Sequence, residues 1–315
     1  MFILITVVGC DTSSSTAKKE QAEQASPAGK VTVETNGVVA PGAEVKELAN
    51  IDQYVGKRSK TEGPVADDKG NVYFSDPYGP KLYKWSTDGT LSIYSEAING
   101  PNGLGFDRDG NLIACEAYKR RMTMLDKNGK ATSLTDSYEG KKYNEPNDLF
   151  IDTKGGIYFS DPYFHVHTEP LEQEIHGLYY ITPDRSQVIR VIDDMGDPNG
   201  ICSTPDGTQM YVINTREQKT YLYDVNPDGT LSGKRLFVPW GIDGLGVDIE
   251  GNVYITGAED YVNVYNKQGM LIDKIVVPIT KGHTANLCFG GEDMRTLFIT
   301  AGNSLFSIRL RVKGF

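Results

Sequence analysis

DDKGNVYFSDP, residues 67–77, decides the fold, because the chain repeats its pattern. DTKGGIYFSDP follows at 152–162, and four looser copies complete a set of six: DRDGNLIACEA at 107–117, TPDGTQMYVINT at 204–215, DIEGNVYITGA at 248–258 and GEDMRTLFITAG at 291–302. Each opens on a turn rich in Asp and Gly and runs into alternating Val, Ile, Tyr and Phe, the pattern of a hairpin and not of a helix. The turn positions Gly70, Gly110, Gly155, Gly207, Gly251 and Met294 lie 40, 45, 52, 44 and 43 residues apart. Further strand-like runs lie between them, such as KLYKW from Lys81 and YLYDV from Tyr221, each closed by another turn. Four short strands in a unit of roughly 40 to 50 residues is the spacing of a propeller blade. The expected fold is therefore all-β: a six-bladed β-propeller over residues 31–315 with a central metal-binding channel, the N-terminal segment supplying a strand that closes the ring. A two-domain β-sandwich protein is the alternative.

Composition agrees. The 315 residues include 34 Gly and 15 Pro, which favours turns over long helices, and 39% hydrophobic content suffices for a large core. Disorder and collagen are excluded. A formal net charge of −10 opposes binding to nucleic acid or anionic lipid. Cys10, Cys115, Cys202 and Cys288 are too widely spaced for a disulfide framework or a CxxC metal pair, and the last three sit in apolar strands as buried thiols. Ahead of the repeats, the apolar run FILITVV at 2–8 is too short to span a bilayer and ends in Gly9-Cys10. It resembles a bacterial lipoprotein signal, with Cys10 as the lipidated residue and the polar stretch 11–30 as a flexible tether. The protein is then expected in the bacterial cell envelope, periplasmic or extracytoplasmic, touching membrane only through that anchor.

Eight residues before each turn position stand Glu62, Asn102, Asn147, Asn199, Asp243 and Asn286, every one a carboxylate or carboxamide. Any one of them alone reads as a turn residue, since Asn-Gly, Asp-Gly and Asn-Asp are turn dipeptides. Together they are a ring, because the innermost strands of a propeller line its channel and one offset in every blade falls at one level. Two carboxylates among amide oxygens suit a hard divalent cation, Ca²⁺ or Mg²⁺ ahead of zinc, with Mn²⁺ or Zn²⁺ able to occupy the same oxygens.

The stretch from Pro101 to Phe164, together with TEGPVADDKGNVYFSDP and the C-terminal NLCFGGEDMRTLFITAGNSLFSIRLRVKG, closely resembles the gluconolactonase branch of the gluconolactonase/regucalcin (senescence marker protein) family over about residues 60–315. The resemblance implies a six-bladed propeller that hydrolyses lactones with one divalent cation, Ca²⁺ first. It implies Glu62, Asn199 and Asp243 as metal ligands, Asn147 as a substrate contact and, in some members, a further ligand, Asp148 as an acidic residue of catalysis, and Asn102 on the substrate side. One motif departs: CEAYKRR carries Ala117 and Tyr118 where the branch commonly has His-Gly, which bears on substrate identity.

Lactone hydrolysis passes through a tetrahedral oxyanion, which a cation at the ring would stabilise while a carboxylate takes a proton from water. Asp243, slightly favoured, and Asp148 are the candidate bases. No G-x-S-x-G elbow occurs and the chain has only 4 His, so a serine triad has no support. His165, His167 and His176 lie in the longest gap between turns, an insertion expected to overhang the channel mouth and shape substrate choice. His165 and Arg121 are accordingly candidate substrate contacts, although Arg120, Arg121, Lys141 and Lys142 read most simply as solvated charge. His283, three residues before Asn286, approaches the same mouth. Asp76 and Asp161 in the SDPY strings read as turn residues. The expected partner is a small-molecule lactone, a sugar (aldono) lactone such as gluconolactone first, and the expected state is a monomer or dimer; a paraoxonase-like esterase acting on aryl esters or acyl lactones, and a propeller that binds carbohydrate without turnover around a structural metal, are the alternatives.

Overall fold

A computed structural model describes residues 37–55 and 59–315. Cys10, the apolar run before it and the tether lie outside the described residues. The turn motifs explain why the repeats form hairpins. The Asp67 carboxylate accepts the N–H groups of Lys69 and Asn71 at 3.0 and 2.8 Å and the Asn71 side-chain amide at 2.8 Å. Asp107 and Asp248 hold their turns in the same way. The chain reverses through a left-handed residue, which glycine tolerates best. The six turn positions all have positive φ, and Met294 takes that conformation (φ 57°) in the one repeat without a glycine.

The hairpins assemble into six four-stranded antiparallel sheets among the described residues, with a separate ribbon pairing Ser137–Tyr138 with Lys141–Lys142. Blades 1 to 5 span 62–95, 101–135, 149–192, 198–238 and 245–276, and within each the strands pair in sequence order. Blade 6 takes three strands from 284–309 and its outermost from Lys46–Asn50, which pairs antiparallel with Ser304–Arg309. The N-terminal segment thus closes the ring as expected. Two short 3-10 turns are the only helical elements described. The core is distributed: apolar clusters sit between neighbouring blades, as where Ile113 and Met122 of blade 2 meet Ile157 and Phe159 of blade 3, or Phe298 and Leu305 of blade 6 meet Val72 and Phe74 of blade 1.

Around the channel the inner strands come within hydrogen-bonding reach of one another. The Gly103 N–H donates to the Asn147 carbonyl at 2.7 Å, Gly200 to that of Asp243 at 2.9 Å, and Gly244 to that of Ala285 at 2.9 Å. Each of these glycines directly follows a ring residue of the repeat. A Cβ on Gly200 would stand 2.6 Å from the Asp243 oxygen, and one on Gly103 the same distance from an Asp148 carboxylate oxygen. The Gly200→Ala variant is therefore expected to lose about 1–3 kcal/mol of stability from overpacking, read as a lower urea midpoint at unchanged slope.

Candidate active site

Five of the ring residues, Glu62, Asn102, Asn147, Asn199 and Asp243, line one chamber of about 200 Å³ at the mouth of the channel, and all are buried. Each stands within two residues of the start of the innermost strand of its blade, so the constant offset in sequence becomes a near-constant height in the fold. The sixth, Asn286, lies deeper. Its amide donates to Asp148 Oδ2 at 3.2 Å, and the two residues together line a second, largely apolar stretch of channel of about 270 Å³ beyond. In PNG of blades 2 and 4 a glycine follows the ring residue; in PND of blade 3 that place is taken by Asp148, whose carboxylate fills the space that Gly103 leaves.

Lys60, which the sequence reading passed over, sits at the centre of the charge. Its ammonium lies 2.6 Å from Glu62 Oε1 and 3.2 Å from Asp243 Oδ2, joining blade 1 to blade 5. The signal was its place two residues before Glu62, since alternate residues of an extended chain share a side. Asp243 further receives the Asn199 amide at 3.1 Å and faces His283 Nε2 at 3.5 Å. Burial would raise the Asp243 carboxyl, but the Lys60 charge and His283 outweigh it and hold it below the usual range. Glu62, desolvated and beside the Asp243 charge, is instead pushed up to about 7 despite Lys60. Lys60 itself stays charged, its desolvation overcome by the two carboxylates. Asp148 is pushed up to about 7 by burial, against hydrogen bonds from the Leu149 N–H and Asn286.

The donor set fits a hard cation. Two carboxylates already converge on one positive charge, and Asn199 and Asn147 add carboxamide oxygens beside them. Among the described residues no three His, Cys, Asp or Glu side chains gather as a metal cage, so any ion here would be held by Glu62 and Asp243 with neutral oxygens.

Other sequence candidates fall elsewhere. Arg121 is not in the chamber lining; its Nε donates to the buried Glu116 at 2.5 Å. His165 is exposed, at φ 61°, against the Tyr163 ring, and the residues on either side of it, Phe164 and Val166, supply the chamber wall instead. His167 Nε2 bonds to the Asn144 carbonyl at 3.0 Å and His176 Nδ1 to Asp197 at 2.6 Å. Asp76 caps its turn through the Tyr78 N–H. Asp161 does more than that: fully buried, it accepts the Asn144 N–H at 2.8 Å and is pushed up to about 7 by burial, against that bond and others. Cys115 is buried, while Cys202 and Cys288 reach the lower channel.

Fold and chamber together define a six-bladed propeller with carboxylate and carboxamide side chains gathered at the mouth of its channel. Residues 60–303 match the model of the SMP-30/Gluconolactonase/LRE-like region, and the chain belongs to that family. It is similar to the gluconolactonase of Zymomonas mobilis, 27% identical over 288 residues that cover 81% of this chain and 79% of that protein. Among solved structures it resembles the gluconolactonase XC5397 of Xanthomonas campestris (TM-score 0.77, 29% identity, 87% of this chain and 91% of that one). It shares its fold with a calcium-binding protein, regucalcin, of Agrobacterium tumefaciens (TM-score 0.70, 20% identity, 81% and 92%).

Two outcomes follow from the charges. Lys60→Met strips the counter-charge from two buried carboxylates and is expected to cost about 3 kcal/mol in chelator, with much of the loss recovered in millimolar Ca²⁺; calorimetric melting reads both. Asp161 has a folded pKa near 7 against about 4 unfolded, so folding favours its protonated form, and its contribution is full below pH 4 and lost as pH rises through 7. Asp161→Asn should accordingly gain stability over the wild type between pH 4 and 8, by at most about 4 kcal/mol, in denaturant titrations across that range.

Proposed function

We propose that the chamber opens a sugar lactone, an aldono-lactone such as gluconolactone, by attack of water, with one divalent cation held by Glu62, Asp243, Asn199 and Asn147. The observation that carries this is the convergence of carboxylates from blades 1 and 5 on a single positive charge, inside a chamber of lactone size. The names of its relatives support lactone hydrolysis. The calcium-binding relative supports Ca²⁺ ahead of Mg²⁺, Mn²⁺ and Zn²⁺, as does an all-oxygen donor set.

When bound, the cation supplies Lewis-acid polarisation of the lactone carbonyl. The chain's own residues divide the remaining work. Asp243, held ionised by Lys60, His283 and Asn199, is committed as a charge. Asp148 stands not in the chamber lining but in the stretch of channel beyond it, next to Asn147, and suits the general base better for water held between the two, because a carboxyl near pH 7 can take a proton from water and return it. This reverses the slight preference for Asp243 drawn from sequence. As water oxygen bonds to the carbonyl carbon, its proton passes to Asp148; the ring C–O bond then breaks, and that proton is delivered to the departing alkoxide. Asn102 and Asn147 orient the ring hydroxyls. Lipid anchoring at Cys10 in the cell envelope is part of the same proposal and rests on the lipoprotein-like run 2–10.

In a pH-stat assay, Asp148→Asn should lose about 10²- to 10⁴-fold in kcat with a smaller change in KM, and chelation should abolish turnover until Ca²⁺ is restored. Preference for acyl lactones or aryl esters over aldono-lactones would move the substrate to the esterase-like class, and undiminished turnover in Asp148→Asn would return the base to Asp243.

A further inference from the structure

The insertion 162–176 of blade 3 contains an arrangement that the reaction above does not use. Glu145, two residues before Asn147, is a buried carboxylate whose two oxygens are both spent on backbone: the Phe164 N–H donates to Oε2 at 2.5 Å and the Val166 N–H to Oε1 at 2.7 Å. Positive φ at His165 turns the chain between them, so that two amides close on one anion in the manner of a backbone nest, here filled by the protein's own side chain. Phe164 and Val166 are also the insertion's contributions to the chamber lining.

The rest of the insertion is stapled to the segment before it. Asn144 Nδ2 donates to the Ile175 carbonyl at 3.1 Å, Gln173 donates to the carbonyls of Tyr138 and Lys141 at 3.0 and 2.9 Å, and the Lys142 N–H donates to Glu172 at 3.0 Å. The buried Arg120 reaches Glu169 and the Pro170 carbonyl, both at 3.3 Å. Such an element is a fixed wall and not a lid. The chamber lining is mixed: it combines the carboxamides of Asn102, Asn147 and Asn199 with the apolar side chains of Phe164, Val166, Pro77 and Ile242. A sugar lactone has the matching character, hydroxyl edges and an apolar C–H face.

We propose that Glu145 is a positioning residue, whose carboxylate fixes Phe164 and Val166 as the wall against which the C–H face of the lactone lies. The proposal rests on the sugar-lactone reading for its substrate but not for its anchor. Glu145→Gln keeps the shape and replaces one acceptor by an NH₂ that faces a backbone N–H. It should raise KM for gluconolactone about 10-fold with kcat within about two-fold, the signature of lost ground-state and transition-state binding alike. Phe164→Ala should do the same, and the double variant should add nothing further, since both remove one wall. Hydrogen exchange of the full-length protein should show faster exchange at the amides of residues 164 and 166 in Glu145→Gln. A lower melting temperature with KM and kcat both unchanged would reduce Glu145 to a structural role and overturn the proposal. Unchanged exchange would overturn the anchor, whatever the kinetics. Wild-type protein that turns over no sugar lactone, with exchange still accelerated in the variant, would instead overturn the substrate of the wall and the sugar-lactone reading while the anchor stands.

Discussion

Everything at the channel depends on how closely six inner strands can approach one another. Where the Gly103, Gly200 and Gly244 N–H groups reach a carbonyl of the next blade at 2.7 to 2.9 Å, no side chain fits between. That closeness brings the preceding residues, Asn102, Asn199 and Asp243, into one chamber. It also gives the exception its force. Blade 3 places Asp148 where blades 1, 2, 4 and 5 have glycine, and its side chain stands in the channel wall, against Gly103 and under the Asn286 amide. A substitution in a repeat thereby becomes a carboxylate out of water, with its pKa raised for that reason.

The carboxylate pair of the chamber is set by a different force. Glu62 and Asp243 come from blades 1 and 5, with only blade 6 between them, and would repel each other in a desolvated chamber; Lys60 makes their meeting tolerable. The opposite shifts of the two carboxyls are one statement about this triangle: with a single ammonium available, the carboxyl that also has His283 and Asn199 keeps the charge more firmly. A site balanced this way has affinity for positive charge built into its ground state.

The propeller and the ring were legible because a turn has fixed geometry. Its left-handed residue marks the same point in every blade even where it is Met294 and not glycine, and a count of eight from that point lands on the chamber in five blades and deeper in the channel, at Asn286, in the sixth. Lys60 was not legible as part of a repeat, for it stands in the segment before the first blade and has no counterpart in the other five. Arg121 and His165 show what residue type alone leaves open. Arg121 lies opposite Glu116 in the register of blade 2 and is consumed there. His165 sits between two residues that face the chamber, and its own left-handed backbone turns it away.

Two kinds of acidic residue surround the site, and the proposed reaction rests on separating them. Asp243 is surrounded by donors and stays ionised, which suits it to holding charge. Asp148 is equally buried but has no cation beside it, which suits it to moving a proton. Glu145, within three residues of Asp148, is neither: its two oxygens accept backbone N–H groups of the insertion, with His167 Nε2 3.8 Å from one of them, and the part proposed for it is to shape the wall. One short segment, Glu145 to Asp148, therefore carries the wall's anchor, a ring carboxamide and the proposed base in sequence. A shift of that segment would move all three together, which couples the position of the substrate to the position of the group that activates water.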